Sequence, residues 1–155
     1  MIANRQRLIR VPLRDLQRFF ARAMNEVRLP AEAASVCFVT NSQIAKWNAA
    51  YRGKPKPTDV LSFPAEGAPR GPKKKSFSKS VATKDGSSTS SYLGDIAIAP
   101  AVARSNARLY GRTLNEEMRV LILHGILHLM GYDHETDAGQ MERRERRLRR
   151  ALGIA

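Results

Sequence analysis

Three histidines with the spacing of a metal site lie within one short segment of the chain. His124, His128 and His134 are the only histidines in the sequence. Because His124 and His128 are four residues apart, a helix brings both imidazoles to the same face, about 6 Å apart along its axis. Gly131 lies where such a helix would end, and glycine readily adopts the left-handed conformation that ends a helix. The chain can therefore turn there and bring His134 back toward the other two.

Three imidazoles with one open coordination position are typical of a catalytic zinc site rather than a closed structural one. The alternative is that these are core histidines on an apolar helix. That alternative is weaker, because three buried rings in a segment of Leu, Ile and Met would leave too many ring nitrogens without partners. We therefore predict that His124, His128 and His134 bind one Zn²⁺, although nickel and copper also suit imidazole ligands.

The same spacing occurs in the metzincin peptidases, which makes a metallopeptidase a second interpretation. Those enzymes carry a glutamate directly after the first histidine, where it acts as general base. This chain has Gly125 at that position. A Met-turn is not evident either, because Met141 lies in a polar segment that is predicted to be helical. A peptidase of this kind would need a base displaced to another position.

The segment from His124 to His134 resembles the signature of the YbeY-like rRNA maturation factors, which are bacterial metal-dependent endoribonucleases. Their pattern is H-G-x-L-H-L-x-G-Y-D-H, and the chain matches every specified position. The family also carries an Asn-x-x-Tyr-Arg turn, a Pro-Thr-Asp-Val-Leu-Ser-Phe-Pro block and a Leu-Gly-Asp-Ile segment. The corresponding positions here are Asn48, Tyr51, Arg52, residues 57–64 and residues 93–96.

The resemblance implies a zinc-dependent endoribonuclease that cuts single-stranded RNA in maturation of the 16S rRNA 3′ end and in ribosome quality control. Its implied partners are ribosomal RNA and the small ribosomal subunit. Arg52 and His124 are the implied catalytic residues. A guanidinium such as that of Arg52 binds phosphate in a bidentate fork and stabilises charge on its oxygens. Water and a ribose 2′-hydroxyl both remain candidates for the attacking group, and the general base is open.

Two carboxylates are candidates for orienting a ligand histidine from behind. Asp95 lies in the Leu-Gly-Asp-Ile segment and has the alternative role of tying down a turn. Asp133 is adjacent to His134 and either acts in the reaction or orients the ligand. A third interpretation of the whole protein is a non-catalytic, basic ribosome assembly factor whose zinc is only structural.

The chain is strongly basic, with a net charge of +13 and a pI near 10.7, which indicates a polyanionic partner. The longest apolar stretch, Val120 to Tyr132, is too short for a membrane span. The N-terminus has no apolar signal core, so we expect a cytoplasmic protein with no membrane contact. Cys37 is the only cysteine, which rules out an intramolecular disulfide and fits a reducing compartment.

The implied architecture is α+β, a single domain over residues 1–155 with a small mixed four-stranded sheet and about five helices. Hydrophobic periodicity predicts where these elements lie. Strands are predicted at 8–11, 35–40, 58–64 and 92–99, and helices at 13–27, 41–51, 100–110 and 113–130. Asp137 and Gln140 suggest a last helix after His134, with Met141 and Leu148 facing inward. The fourth helix is apolar nearly all round, so it is expected to be central, with the metal site at its end.

Two basic segments have no assigned role from the sequence alone. Residues 65–91 are rich in Ser, Lys, Gly and Pro, and such a composition predicts a mobile basic insertion between two strands. The last helix contains the run 143–150, in which arginine dominates. That face meets either solvent or a phosphate backbone.

Overall fold

The structure is a computed structural model that describes residues 1–65, 92–133 and 135–154. His134, the third predicted metal ligand, lies outside these residues. The insertion predicted at 65–91 also lies outside them, apart from Ala65. The described residues form four strands and five α-helices. In chain order these are β1 (Ile2–Asn4), α1 (Leu13–Glu26), β2 (Ala34–Phe38), α2 (Asn41–Arg52), β3 (Val60–Pro64), β4 (Gly94–Ile98), α3 (Pro100–Leu109), α4 (Leu114–Leu129) and α5 (Gln140–Leu152).

The strands form one mixed sheet in the order β1-β2-β4-β3. Strands β1, β2 and β4 are parallel, whereas β3 pairs antiparallel with β4 at the edge. The predicted α+β fold with a four-stranded mixed sheet and five helices is therefore confirmed. Within the described ranges, no helix combines the length and apolar character that crossing a membrane requires.

Helix α4 packs on one face of the sheet and forms the centre of the main core. A capping box fixes its start, since the Thr113 hydroxyl accepts from the Glu116 backbone N–H and the Glu116 carboxylate accepts from the Thr113 backbone N–H. Its buried side chains share the main core with alternate residues of β2 and β4, as expected for strands whose side chains alternate between faces. The largest of these core residues are Phe38, Ile96, Ile98, Met118, Ile122 and Leu123.

Helix α2 covers the opposite face of the sheet. Ile44 is fully buried there, and the rings of Trp47 and Tyr51 meet Phe63 of β3 edge-on, with centroids 6.0 and 4.8 Å apart. The Asn48 side-chain amide donates to the carbonyl of Lys56, 2.9 Å away, and so fixes the connection between α2 and β3. The position of Arg52, the last residue of α2, is thus determined by packing on β3.

The first strand lies earlier than predicted. The pattern at 8–11 indicated a strand, but the structure forms β1 at Ile2–Asn4 and leaves Leu8 79% exposed. The cause is the buried side chain of Gln6, which donates to the carbonyl of Ile9 and accepts from its backbone N–H. These two bonds take up the backbone groups that a neighbouring strand would use, and hold the segment as a loop.

Candidate metal centre

His124 and His128 meet on one face of helix α4, near its C-terminal end. Their Nε2 atoms are 3.1 Å apart, and the ring planes are inclined at 70°. Two zinc–nitrogen bonds of about 2.0–2.1 Å at a tetrahedral angle separate the two nitrogens by roughly 3.3 Å. The observed separation therefore fits two imidazoles that share one ion.

The helix ends directly after this pair, as the sequence predicted. Gly131 has φ 99°, a left-handed conformation. The backbone N–H groups of Gly131 and Tyr132 donate to the carbonyls of His128 and Leu127, at 3.0 Å each. This is a Schellman ending, in which a left-handed glycine reverses the chain after a helix. The reversal starts at Gly131, three residues after His128 and three residues before His134.

The complete ligand set lies only partly within the described residues. Among residues 1–65, 92–133 and 135–154, no group of three or more His, Cys, Asp or Glu side chains is arranged to hold a metal ion. The three-histidine site thus remains a prediction, of which the structure describes two members.

Helix α5 places the carboxylate of Glu145 against His124. The sequence patterns did not identify Glu145 as a site residue. Oε1 of Glu145 lies 3.3 Å from Nδ1 of His124, on the side of the ring away from the Nε2 pair. Oε2 of Glu145 forms an ion pair with Arg149 at 3.7 Å. A signal was available in the sequence, because Glu145 lies four residues after Met141 and three before Leu148, both of which are buried. It is an acidic residue at a core-facing position of a basic helix.

Gly125 faces the sheet rather than the histidine pair. A Cβ built on it would lie 2.7 Å from Cγ2 of Ile96, closer than side chains pack. The carbonyl of Gly125 accepts a hydrogen bond from Ser62 of β3 at 3.3 Å. The residue following the first histidine therefore lets α4 approach the sheet, and a glutamate does not fit in this space.

Arg52 ends α2 on the other side of the edge strand β3. It is exposed, and it makes no hydrogen bond or ion pair with His124 or His128. Gly53 follows with φ 71° and ends the helix in the left-handed conformation. Strand β3 links the two regions, since Phe63 packs against Tyr51 while Ser62 bonds to α4. The guanidinium is thus presented to solvent from a firmly packed helix.

Asp95 is buried, but on the face of the sheet opposite the histidines. It is 7% exposed, and its neighbour Ile96 points to α4. One carboxylate oxygen accepts a short hydrogen bond from the Tyr92 hydroxyl, which also contacts Ser35 Oγ at 3.1 Å. Burial and the bond to Asp95 raise the pKa of Tyr92 to about 12. This placement does not bring Asp95 to His124 or His128, and it fits the alternative role of tying down local structure.

Asp133 is exposed and organises the turn after α4. Its carboxylate accepts from the backbone N–H of Glu135 at 3.0 Å, and its carbonyl accepts from the N–H of Thr136 and Asp137. The carboxylate of Asp137, which lies before α5, accepts from the backbone N–H of Met141 in the first turn of that helix. The described contacts of Asp133 are all to this turn.

A cleft of about 660 Å³ lies away from the histidines, against the first half of α4. It is lined by the α3–α4 connection, the first turns of α4 and the two residues after α5, with Arg112 placed over the Tyr110 ring at 5.4 Å. Among the described residues, none of Arg52, Asp95, His124, His128 and Asp133 lines it.

The described residues form an α+β domain whose central helix brings two imidazoles together. Comparison with known proteins gives the family. The family described as endoribonuclease YbeY matches residues 1–153. The chain therefore belongs to the YbeY family of endoribonucleases, which are nucleases and hence hydrolases.

Several individual proteins show the same relationship. The chain is 36% identical over 154 residues to an endoribonuclease YbeY from Koribacter versatilis, covering 99% of this chain and 86% of the relative. It is 38% identical over 114 residues to the one from Sulfurovum sp., covering 74% and 68%. The fold is similar to the solution structure of TM1509 from Thermotoga maritima, with a TM-score of 0.60, 24% identity and coverage of 98% of this chain and 89% of that one.

Proposed function

We propose that this protein is a zinc-dependent endoribonuclease that cleaves single-stranded ribosomal RNA in maturation of the 16S rRNA 3′ end and in ribosome quality control. The observation that carries the proposal is the 3.1 Å approach of the His124 and His128 Nε2 atoms on a rigid core helix. The ligand set would be His124, His128 and His134. The family relationship and the basic charge support RNA as the substrate.

The donor set suits zinc. Imidazole nitrogens are among the preferred ligands of this ion, and sites with three protein ligands leave a position for water or substrate. Zinc bound there would act as a Lewis acid on phosphoryl oxygens and lower the pKa of nearby water. The helix that carries the two histidines is buried along most of its length, so the ligands are held without reorganisation.

Arg52 is the proposed phosphate-binding residue. In RNA cleavage an oxygen nucleophile forms a new P–O bond, the bond to the leaving ribose oxygen breaks, and that oxygen takes up a proton. Negative charge grows on the non-bridging oxygens during this exchange. A guanidinium donating two hydrogen bonds stabilises that charge better than an ammonium does, because its geometry matches two oxygens at once. The exposed position of Arg52 leaves its fork available to RNA.

Helices α1 and α5 supply a basic surface that we call the arginine face. It consists of the exposed residues Arg14, Arg18, Arg22, Arg143, Arg146, Arg147 and Arg150. The two helices pack together, and Arg22 donates to the carbonyl of Leu152 at the end of α5. Helix α5 has six arginines against two glutamates. Such a surface attracts the phosphate backbone and releases its counterions, which supports a polyanion such as RNA as ligand.

The proposal is tested by incubating the purified, zinc-loaded protein with a single-stranded RNA that spans the 16S 3′ end, with the same RNA as a duplex, and with casein. We expect cleavage of the single strand by the wild type and none by His128→Ala. Digestion of casein would instead identify a metallopeptidase. If a folded His124→Ala variant still binds ribosomal particles and restores function in cells, the protein is a non-catalytic assembly factor.

A further inference from the structure

The contact between His124 and Glu145 gives helix α5 a role in the metal centre. Glu145 is 83% covered by the fold, with a side-chain exposure of 17%, although α5 is otherwise the most basic helix of the described chain. The two residues are 21 positions apart and lie on different helices. A local interaction within one helix therefore does not explain the contact, and the docking of α5 against α4 creates it.

The bond has a defined direction. A carboxylate only accepts hydrogen bonds, so Nδ1 of His124 is the donor and carries the proton. In a neutral imidazole the other nitrogen, Nε2, is then left with its lone pair. That is the nitrogen that lies 3.1 Å from Nε2 of His128. The carboxylate thus selects the tautomer in which His124 is able to bind an ion on the side where the two rings meet.

Arg149 completes the arrangement from the next turn of the same helix. It lies four residues after Glu145, and its guanidinium is 3.7 Å from the oxygen that does not face His124. The three side chains are partly covered, with exposures of 27% for His124, 17% for Glu145 and 24% for Arg149. Electrostatic contacts in such partly desolvated surroundings are stronger than those on the open surface. Arg149 therefore holds the Glu145 carboxylate in place behind the histidine.

We propose that Glu145 is a positioning residue for the metal centre, fixing the tautomer and orientation of His124 so that its Nε2 is presented to the ion. This inference rests on the proposed function, because it assigns His124 as a ligand. Carboxylates that accept from a ligand histidine typically change metal affinity 10- to 100-fold when they are removed. Glu145 does not touch the ion or the RNA in this role, and it acts only through His124.

A matched control lies one turn earlier on α5. Glu142 is also a glutamate and also pairs with an arginine four residues later, since Arg146 lies 2.7 Å from it. That pair is exposed, at 67% and 70%, and it contacts neither His124 nor His128. Replacing Glu142 therefore removes the same charge from the same helix without disturbing His124. The comparison separates positioning from a general effect of charge.

The experiment measures zinc affinity by competition with a chromophoric chelator for the wild type, Glu145→Gln, Glu145→Ala, Glu142→Ala and His124→Ala. We expect Glu145→Ala to bind zinc about 10- to 100-fold more weakly, as carboxylates behind ligand histidines do. The zinc affinity of Glu145→Gln should lie between those of the wild type and Glu145→Ala, because the glutamine amide oxygen accepts the same hydrogen bond but carries no charge. Glu142→Ala should match the wild type. Nitrogen chemical shifts of the metal-free proteins should report a protonated Nδ1 at His124 in the wild type and loss of that preference in Glu145→Ala.

The results distinguish failure of the positioning role from failure of the proposed metal centre. Wild-type affinity and an unchanged His124 tautomer in Glu145→Ala would overturn the positioning role alone. A wild type that binds no zinc, or a His124→Ala variant that binds as tightly as the wild type, would overturn the proposed metal centre and this inference with it. Equal weakening in Glu145→Ala and Glu142→Ala would assign the effect to helix charge and would also overturn the positioning role.

Discussion

Ile96 of strand β4 occupies the space that a side chain at Gly125 would need. A Cβ at position 125 would lie 2.7 Å from Cγ2 and 2.9 Å from Cδ1 of Ile96. The glycine after the first histidine is therefore a packing residue that brings the ligand helix onto the sheet. This relationship also explains why the base of a metzincin-type peptidase is missing at that position.

Gly125→Ala tests this packing. Alanine is a better helix former than glycine by about 1 kcal/mol, so an exposed site would gain stability. Here the overlap with a stiff β-branched neighbour should reverse the sign and destabilise the fold by about 1–3 kcal/mol. Chemical denaturation measures the difference. In an Ile96→Ala background the same change should cost clearly less, and an equal cost in both backgrounds would show that Ile96 is not the obstacle.

Arg52→Ala should slow RNA cleavage about 100-fold, which is the usual effect of removing one preorganised donor to a developing oxyanion. Arg52→Lys should restore little, because an ammonium lacks the bidentate fork. Zinc content should be unchanged in both variants, since Arg52 makes no hydrogen bond or ion pair with His124 or His128. Lys54→Ala removes an exposed positive charge two residues away and serves as control. Equal losses of cleavage rate in Arg52→Ala and Lys54→Ala would show that Arg52 contributes only its surface charge.

Tyr92 should make the folded state sensitive to alkaline pH. Burial and its bond to Asp95 raise the pKa of Tyr92 from 10.0 to about 12, so the fold favours the protonated phenol. The resulting stabilisation is complete below pH 10 and is lost as the pH rises toward 12. Unfolding measured across this range should show a steeper decline for the wild type than for Tyr92→Phe. Parallel declines would mean that Tyr92 is not the group responsible.

The arginine face should determine how RNA binding depends on salt. Each phosphate contact with a single strand contributes about 0.7 to the slope of log affinity against log salt. Arg18→Gln and Arg147→Gln should each lower the slope by about that amount in metal-depleted protein, which leaves the RNA intact. Arg108→Gln, at an exposed position of α3 outside the arginine face, should leave the slope unchanged. An identical slope in all three variants would place the RNA elsewhere.

Periodicity predicted most of the fold, because the core helices and strands carry clear apolar patterns. Helix α4 extends from a capping box to a left-handed glycine, and both signals are local in the sequence. The strand predicted at 8–11 is wrong, because Gln6 bonds to the backbone of Ile9 and prevents strand pairing there. A hydrophobic pattern does not show that a side chain will bond to these backbone groups in place of a neighbouring strand.

The site could be predicted only in part. His124 and His128 are four residues apart, so helical geometry alone brings them together. Glu145 approaches His124 only because α5 docks against α4 in one particular orientation. Local sequence patterns do not show that orientation. Asp95 is in a family motif, but the alternation of strand β4 turns it away from α4. Contacts made by packing of distant elements are thus the ones that sequence patterns miss.

The most direct test of the central claim is RNA cleavage measured against zinc content. Native mass spectrometry of the purified protein should find one zinc ion per chain in the wild type and none in His124→Ala or His128→Ala. Protein stripped of metal should leave the single-stranded RNA uncut and regain activity in proportion to added zinc. Cleavage by metal-free protein as fast as by the zinc-loaded form would contradict the account.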